Sequence, residues 1–493
     1  MLSKSLSWSR RNVLKTGGVA GVAVAAGIQG GASAQSARPA RGSPKSIIEQ
    51  LVESTAIIDT HEHLIEEDLR LAGKHRLIKA NDWSCLLSHY LNSDLTTCGM
   101  PRKELEAFFA PGTDPLRKWS LLEPYWQRVR HTGYGQAVEI AMMRLYDIER
   151  LSGDTVNKVQ QGYERTLQPG IYKKVLQDMG RIESCQVNSL DTPFSESRQP
   201  LLLMQDLSFR GMHIGPDIES CAGKAGIAVK DLQDWHRVID WWFRTYGPYA
   251  VAVKSQAAYS RNIDYEDVPA EQVQTVFKSR LNGDPIGNAD RKRLEDHLFW
   301  YCVRKATEYE LPVKIHTGYY AGSDSMPLSR VERNAAAASD LCKAAPDTRF
   351  VFMHIDYPYY EPMIALAKHY TNCYIDMCWA WIVSPVASVN FLKQFLVTAP
   401  ANKVLTFGGD YIPVEPVLGH VVLARRGIAR VLVDLVEEGW LNLESASSLA
   451  EPIMRGNARA LFNLEHKARK LQAAPWISSN GVGPTQHIIN QAL

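Results

Sequence analysis

Short apolar runs alternate with amphipathic helical stretches along most of the chain, and this alternation predicts a parallel α/β fold. The runs are apolar at most positions, which is typical of strands that are buried on both faces of a sheet. The predicted strands are 56–60, 182–187, 201–204, 250–254, 313–316, 350–354, 373–377 and 404–407. Eight parallel strands with helices between them predict a (β/α)8 TIM-like barrel.

A long segment of different character separates the first predicted strand from the second. Residues from about 66 to 180 are polar and aromatic, with apolar positions at helical spacing. We predict a helical insertion here, which covers the end of the barrel where the first strand finishes. An open doubly wound sheet is the competing fold, but the chain has no glycine-rich dinucleotide-binding loop to support it.

Composition and charge narrow the choice of partners. The chain has 493 residues and a formal net charge of +2, without a long run of Lys and Arg, so nucleic acid is not expected as a partner. The eight cysteines are scattered without a Cys-x-x-Cys pair. We predict that they are free thiols and that most of them are buried.

The N-terminus has the features of an export signal. Ser-Arg-Arg-Asn-Val-Leu-Lys at 9–15 resembles the twin-arginine motif, and an apolar run at 17–28 and an Ala-Ser-Ala cleavage site at 32–34 follow it. We predict that 1–34 is a signal peptide for the twin-arginine export machinery and that the protein is periplasmic or otherwise exported, with an uncleaved anchor as the alternative. The further predicted segments are a disordered tail at 35–45, the barrel at 46–465 and a C-terminal extension at 466–493.

Two histidines stand at the end of the first predicted strand. Residues two apart on a strand point to the same face, so His61 and His63 would project side by side, with Glu62 turned away. Two converging imidazoles suit a divalent metal such as zinc. Taken alone, the pair is equally compatible with one histidine in a loop and one satisfied polar residue.

Later strands also end on polar side chains. The carboxyl ends of barrel strands meet at one mouth, where the active sites of such barrels lie. Each side chain alone has an ordinary explanation, such as a helix cap or a charge that reaches solvent. The order of the whole set is the informative feature, and its later members are Lys254, His316, His354 and Asp410.

This ordered set resembles the amidohydrolase superfamily of metal-dependent hydrolases. The resemblance runs from about residue 47 to 464 and includes Phe-Gly-Gly-Asp at 407–410 and the closing helix at 453–462. The segment around 402–405 is similar to uronate isomerase-like members, which also carry a helical insertion after the first strand. The motifs are specific for the superfamily and not for the substrate.

The resemblance implies a metal site and a mechanism. His61, His63 and Asp410 would bind a divalent metal, with zinc as the expected ion and His316 as a further ligand in many members. A water on such a metal is acidic enough to supply hydroxide at neutral pH. Asp410 would take its proton and pass it to the leaving group, while His354 would contact the substrate or its oxyanion, or ligate a second metal.

Lys254 decides the number of metals. In two-metal members a lysine on the fourth strand is carboxylated and bridges the ions. With one metal, which we favour, a lysine here would hold an anionic substrate. Tyr259 and Arg261 follow closely and are further candidates for binding a carboxylate, although an ordinary polar loop explains them equally well.

The predicted function is that of a metal-dependent hydrolase that cleaves an amide, ester or lactone of a small molecule, which is anionic if Lys254 binds it. A decarboxylase or a uronate-type isomerase on the same site is the first alternative. A metal-containing solute-binding or structural protein that has lost turnover is the second. The expected partners are a small-molecule substrate and the export machinery, and a homo-oligomer is left open.

Overall fold

The eight predicted strands are all present in a computed structural model of the protein, which describes residues 42–479. They are β1 (Ile57–Glu62), β2 (Ile182–Val187), β3 (Leu203–Gln205) with its continuation β4 (Leu207–Ser208), β5 (Val253–Ser255), β6 (Val313–His316), β7 (Phe350–Met353), β8 (Cys373–Asp376) and β9 (Val404–Leu405). The predicted signal peptide at 1–34 lies outside the described residues, as do residues 480–493 of the predicted C-terminal extension.

Backbone hydrogen bonds join these parallel strands into a barrel. The strands run in the order β1-β2-β3 and then β4 to β9, each parallel to its neighbour. Val251 N donates to Gln205 O at 3.0 Å, which connects the two runs. Thr60 N donates to Phe407 O at 2.9 Å, so β1 also pairs with the segment after β9. The predicted (β/α)8 barrel is therefore confirmed.

Helices fill the connections between the strands. Outside the insertion they are α1 (Pro44–Ser54), α8 (Arg210–His213), α9 (Ile218–Ala225), α10 (Leu232–Tyr246), α11 (Gln274–Leu281), α12 (Asn288–Glu308), α13 (Leu328–Val331), α14 (Asn334–Ala344), α15 (Glu361–His369), α16 (Ala380–Val383), α17 (Pro385–Leu396), α18 (Glu415–Glu437), α19 (Leu443–Glu451), α20 (Asn457–Leu461), α21 (Leu464–Gln472) and α22 (Pro475–Ser479). Short 3₁₀ turns lie at Ala257–Tyr259, Ala270–Gln272, His354–Asp356 and Ala401–Lys403, and a π-helical turn lies at Pro452–Gly456. No helix within 42–479 is both long and apolar enough to cross a membrane.

The helical insertion follows β1 as predicted. It comprises α2 (Glu67–Ala72), a 3₁₀ turn (Trp83–Leu87), α3 (Leu91–Thr97), α4 (Arg102–Phe109), α5 (Pro115–Val129), α6 (Gly133–Tyr146), α7 (Val156–Thr166) and a π-helical segment (Lys173–Met179). Local signals in the sequence define its helix ends. The side chain of Asp114 accepts from Leu116 N and Arg117 N at the start of α5, where Pro115 provides a backbone angle suited to the first turn.

Two contacts attach the insertion to the barrel helix α18. Arg70 of α2 and Glu415 of α18 form a fully buried ion pair, to which Tyr163 of α7 adds a hydrogen bond of 2.8 Å with Arg70. Further along α18, Gly419 lies so close to α6 that a Cβ atom there would be 1.8 Å from Ala137 O. The insertion is therefore packed firmly against the barrel, and the Tyr90 hydroxyl, which donates to Asp410 O, places it over the end where β1 finishes.

The ends of the described region differ slightly from the predicted segments. Helix α1 begins at Pro44, inside the predicted tail, because Ser43 accepts from Ser46 N at 3.2 Å and Pro44 is favourable in a first turn. Helix α21 runs through the predicted boundary at 466. All eight cysteines are free, and all except Cys98 are buried, as predicted.

Candidate metal centre

His61 and His63 are brought together with Asp410 at the carboxyl end of the barrel. All six residues of β1 are buried, and His63 follows directly. His61 Nε2 and His63 Nε2 each lie 3.2 Å from the same oxygen, Asp410 Oδ1. We call these three residues the metal centre, since two imidazole nitrogens and a carboxylate oxygen converge there as ligands of one ion would.

The backbone around Asp410 holds its carboxylate against the histidines. Asp410 has a positive φ of 61°, and its N–H donates to His61 O at 2.8 Å. The Tyr90 hydroxyl, from the insertion, donates to Asp410 O. The preceding Gly409 cannot carry a side chain, because a Cβ atom there would lie 1.8 Å from Glu62 Oε1. The two-glycine segment before Asp410 therefore lies close against β1.

The tautomer of His63 is fixed by its surroundings. His63 Nδ1 lies 2.7 Å from Asn188 O, which can only accept, so Nδ1 carries the proton. His63 Nε2, which faces Asp410 Oδ1, is therefore the nitrogen that can bind a metal. Glu62 is turned away, as predicted, and accepts from Tyr411 N at 2.6 Å.

The charges of the metal centre favour a bound cation. Burial alone would raise the pKa of Asp410. The interactions of the Asp410 carboxylate with His61 and His63 outweigh this effect and hold its pKa well below the usual value. Burial, together with Lys254, lowers the pKa of His61 well below its usual value. An ionised carboxylate thus faces the neutral imidazole of His61, and His61 Nδ1 is buried without a partner among the described residues. This donor set fits a divalent metal.

His354 and His316 line the same mouth in different ways. His354 Nε2 lies 3.8 Å from Asp410 Oδ2, and neither of its ring nitrogens has a hydrogen-bond partner in 42–479. The His316 ring is 4.5 Å from that of His354, but His316 Nε2 faces Tyr319 O at 2.9 Å. Cys378, which follows β8, is also close: its sulfur forms a second group of converging donors with His354 and Asp410, all within 4.8 Å of one another.

Lys254 is fully buried beside these residues. Burial lowers its pKa to about 8, although Asp410 acts in the opposite direction. Its ammonium group contacts the sulfur of Met353. Tyr259 also lies at the mouth, with its ring 4.5 Å from that of His316 and its hydroxyl accepting from Ala321 N at 3.1 Å.

Arg261 is turned away from the metal centre. Its guanidinium pairs with Asp296 and, at 3.3 Å, with Glu295, both on α12, and it lies 4.4 Å from the centre of the Tyr265 ring. These partners occupy the donors that a substrate carboxylate would need. The structure therefore places Arg261 in a structural ion-pair cluster and not among the residues around the metal centre.

Several polar residues at the mouth were missed by the sequence analysis. Asn188 follows β2 and is fully buried, and neither atom of its side-chain amide has a partner in the described chain. Gln256 follows β5, with its Nε2 3.3 Å from His63 Nε2. Asn188 directly follows a predicted strand, and Gln256 lies two residues after another, so the rule that found His354 could have found them.

An aromatic side chain also lies at the mouth. Trp379 comes from the loop after β8 and packs edge-on to His354 at 5.5 Å.

Comparison with known proteins places this site in a family. Residues 205–464, just over half of the chain, match the amidohydrolase family, and the chain belongs to that family. Protein fluG of Emericella nidulans is 26% identical over 232 residues, which are 45% of this chain and 26% of that protein. The matched region thus spans about a quarter of the relative's length.

Solved structures share the fold. A uronate isomerase of Thermotoga maritima aligns with a TM-score of 0.70 and 15% identity over 85% of this chain and 97% of its own. A Lactobacillus casei protein described as a metal-dependent hydrolase aligns with a TM-score of 0.60 and 14% identity over 85% of this chain and 98% of its own. Family, fold and donor set together define a metal-dependent enzyme of the amidohydrolase type.

Proposed function

We propose that the protein is a hydrolase that uses one zinc ion, held by His61, His63 and Asp410, to cleave an amide, ester or lactone of a small molecule. The observation that carries this proposal is the convergence of two imidazole nitrogens on one carboxylate oxygen, each at 3.2 Å. A metal bound there would supply a nucleophilic water at neutral pH.

Asp410 and His354 would carry out proton transfer and stabilise the oxyanion. Asp410 Oδ1 faces the histidines, while Oδ2 faces His354 and is free to take a proton from the attacking water and pass it to the leaving group. Burial first, and His316 second, lower the pKa of His354 well below its usual value. A neutral His354 with unpaired ring nitrogens can donate a hydrogen bond to the oxyanion that develops on the substrate.

The position of Lys254 supports a single metal. A carboxylated lysine that bridges two ions would have to face them, whereas the Lys254 ammonium contacts the sulfur of Met353. We therefore propose that Lys254 remains an amine beside Asp410 and acts on the substrate electrostatically.

Metal analysis and a substrate panel test the function. We expect about one zinc per chain and turnover of at least one member of a panel of lactones, amides and esters. Asp410→Asn should abolish turnover, and His61→Ala should remove the metal. Purified protein without metal, or full activity in both variants, would contradict the proposal.

A uronate-type isomerase is the second candidate, because the fold is shared with a uronate isomerase over 85% of the chain. That reaction moves protons within the substrate and needs no attacking water. Adding D-glucuronate to the panel and following its aldehyde by NMR separates the two candidates. If D-glucuronate is converted to a ketose and no other member of the panel is hydrolysed, the protein is an isomerase and the hydrolase proposal is wrong.

We also propose that residues 1–34 direct export through the twin-arginine machinery. The support is the motif at 9–15 with the apolar run and cleavage site behind it. Replacing Arg10 and Arg11 by Lys should keep the protein in the cytoplasm of a bacterial host while the unchanged chain reaches the periplasm. Equal distribution of the two in cell fractions would refute export by this route.

A further inference from the structure

A cavity opens at the mouth of the barrel beside the metal centre. It has a volume of about 330 Å³ and is formed by the segments that follow β2, β4 and β5. Its lining is polar and includes Ser189, Thr192, Ser208, Arg210, Asp217 and Gln256. Because it is built at the carboxyl ends of barrel strands, it occupies a position where substrates of such barrels bind.

Two residues connect this cavity to the metal centre. Gln256 lines the cavity, and its Nε2 lies 3.3 Å from His63 Nε2. Ser189, also in the lining, directly follows Asn188, whose carbonyl accepts from His63 Nδ1. A single side chain, that of Gln256, therefore separates the cavity from a metal ligand.

One basic residue, Arg210, lines the cavity. Arg210 is exposed, and its guanidinium makes no hydrogen bond or ion pair with any residue in 42–479. Two carboxylates, those of Asp191 and Asp217, also line the cavity. Asp191 pairs with Arg76 and, at 3.0 Å, with His75, while Asp217 accepts from Ser220 N at 3.2 Å at the start of α9.

We propose that Arg210 and this cavity bind a carboxylate of the substrate while the bond to be cleaved lies at the metal centre. A guanidinium presents parallel donors that match both oxygens of a carboxylate, and the hydroxyls of Ser189 and Ser208 complete a polar pocket. This inference rests on the proposed function and names its substrate class, a small molecule with a carboxylate near an amide, ester or lactone. It assigns to Arg210 the role that the sequence analysis considered for Arg261.

Binding can be measured separately from turnover. The probes are three pairs of a carboxylate and its carboxamide: D-glucuronate and D-glucuronamide, N-acetylalanine and N-acetylalaninamide, benzoate and benzamide. Calorimetry on the metal-loaded full chain should show at least one carboxylate binding about tenfold more tightly than its carboxamide. Arg210→Ala should remove this preference without changing the metal content, and Arg210→Lys should retain part of it. Arg291→Ala, an exposed arginine of α12, serves as the matched control.

Each outcome of the binding experiment either supports or contradicts the Arg210 subsite. A preference that disappears in Arg210→Ala and persists in Arg291→Ala supports the subsite. If the preference persists in Arg210→Ala, the metal itself binds the carboxylate and the inference is wrong. The inference is also wrong if the unchanged protein shows no preference for any carboxylate. Because the experiment measures binding, it can also separate the two proposals. If the protein prefers carboxylates through Arg210 but hydrolyses nothing, the proposed hydrolase activity is wrong and the proposed subsite is still supported.

Discussion

At His63, a backbone carbonyl decides which ring nitrogen can bind a metal. Asn188 O takes the Nδ1 proton, so the Nε2 lone pair is left for the metal centre. His354 has no such partner on either nitrogen among the described residues, and its nearer contact to Asp410 is 3.8 Å. Under the proposed function the two histidines therefore have different roles, with His63 as a ligand of fixed tautomer and His354 as a group free to meet the substrate.

This difference predicts a split between metal binding and catalysis. His63→Gln should lose most of the bound metal, because it removes a ligand nitrogen. His354→Gln should keep about the normal metal content and lower kcat by about 10²- to 10³-fold, the usual loss when one oxyanion donor is removed. Elemental analysis and kinetics on the best substrate of the panel measure both effects. Loss of metal in His354→Gln would show instead that His354 is a ligand.

The positions of individual site residues could be predicted where a polar residue ends an apolar strand. A polar residue that closes an apolar strand must lie at the barrel mouth, so His316, His354 and Asp410 could be placed from the sequence. Arg261 could not be placed, because its ion pair with Asp296 depends on how a loop lies against α12. Arg210 shows the converse, because its lack of partners among residues 42–479 is a property of the folded surface and cannot be read from the sequence.

At the scale of elements, the strands and the existence of the insertion were predictable, but the packing of the insertion was not. Helical spacing of apolar residues indicates that a segment is helical and which face is buried. It does not indicate the neighbouring element. The close approach of α6 to α18 depends on Gly419, which in the sequence is an unremarkable glycine inside a helix. The same holds for the pairing of Arg70 with Glu415, since 345 positions separate them.

Gly419 therefore provides a test of that packing. Gly419→Ala improves helix propensity by about 1 kcal/mol, but its Cβ atom would lie 1.8 Å from Ala137 O of α6, and forced separation of packed elements costs about 1–3 kcal/mol or more. We expect net destabilisation, seen as a lower urea midpoint. Gly223→Ala is the matched control, since Gly223 is an exposed residue of α9 with open space around it, and it should be neutral or stabilising. Equal midpoints for the two variants would refute the close packing.

At the scale of the whole molecule, closing the barrel buries several histidines as neutral groups. Burial lowers the pKa of His89, His316 and His420 to about 3 in each case. In the unfolded chain a histidine titrates near 6.5. Between pH 6.5 and 3 the unfolded chain therefore binds protons that the folded protein does not, and these histidines make the free energy of unfolding fall as the pH falls through this window.

His420 of α18 allows this effect to be isolated. It is fully buried, and its Nδ1 lies 3.1 Å from Gly409 O, a hydrogen bond that the amide nitrogen of His420→Asn can reproduce without titrating. In metal-free protein, the stability of the unchanged chain relative to this variant should therefore fall by about 2 kcal/mol between pH 7 and pH 5. Burial raises the pKa of Asp59 and Asp376 to about 7, which acts in the opposite direction over this range, but both carboxyl groups are present in both proteins. Urea unfolding at the two pH values measures the difference, and parallel pH profiles would mean that His420 is protonated in the folded protein.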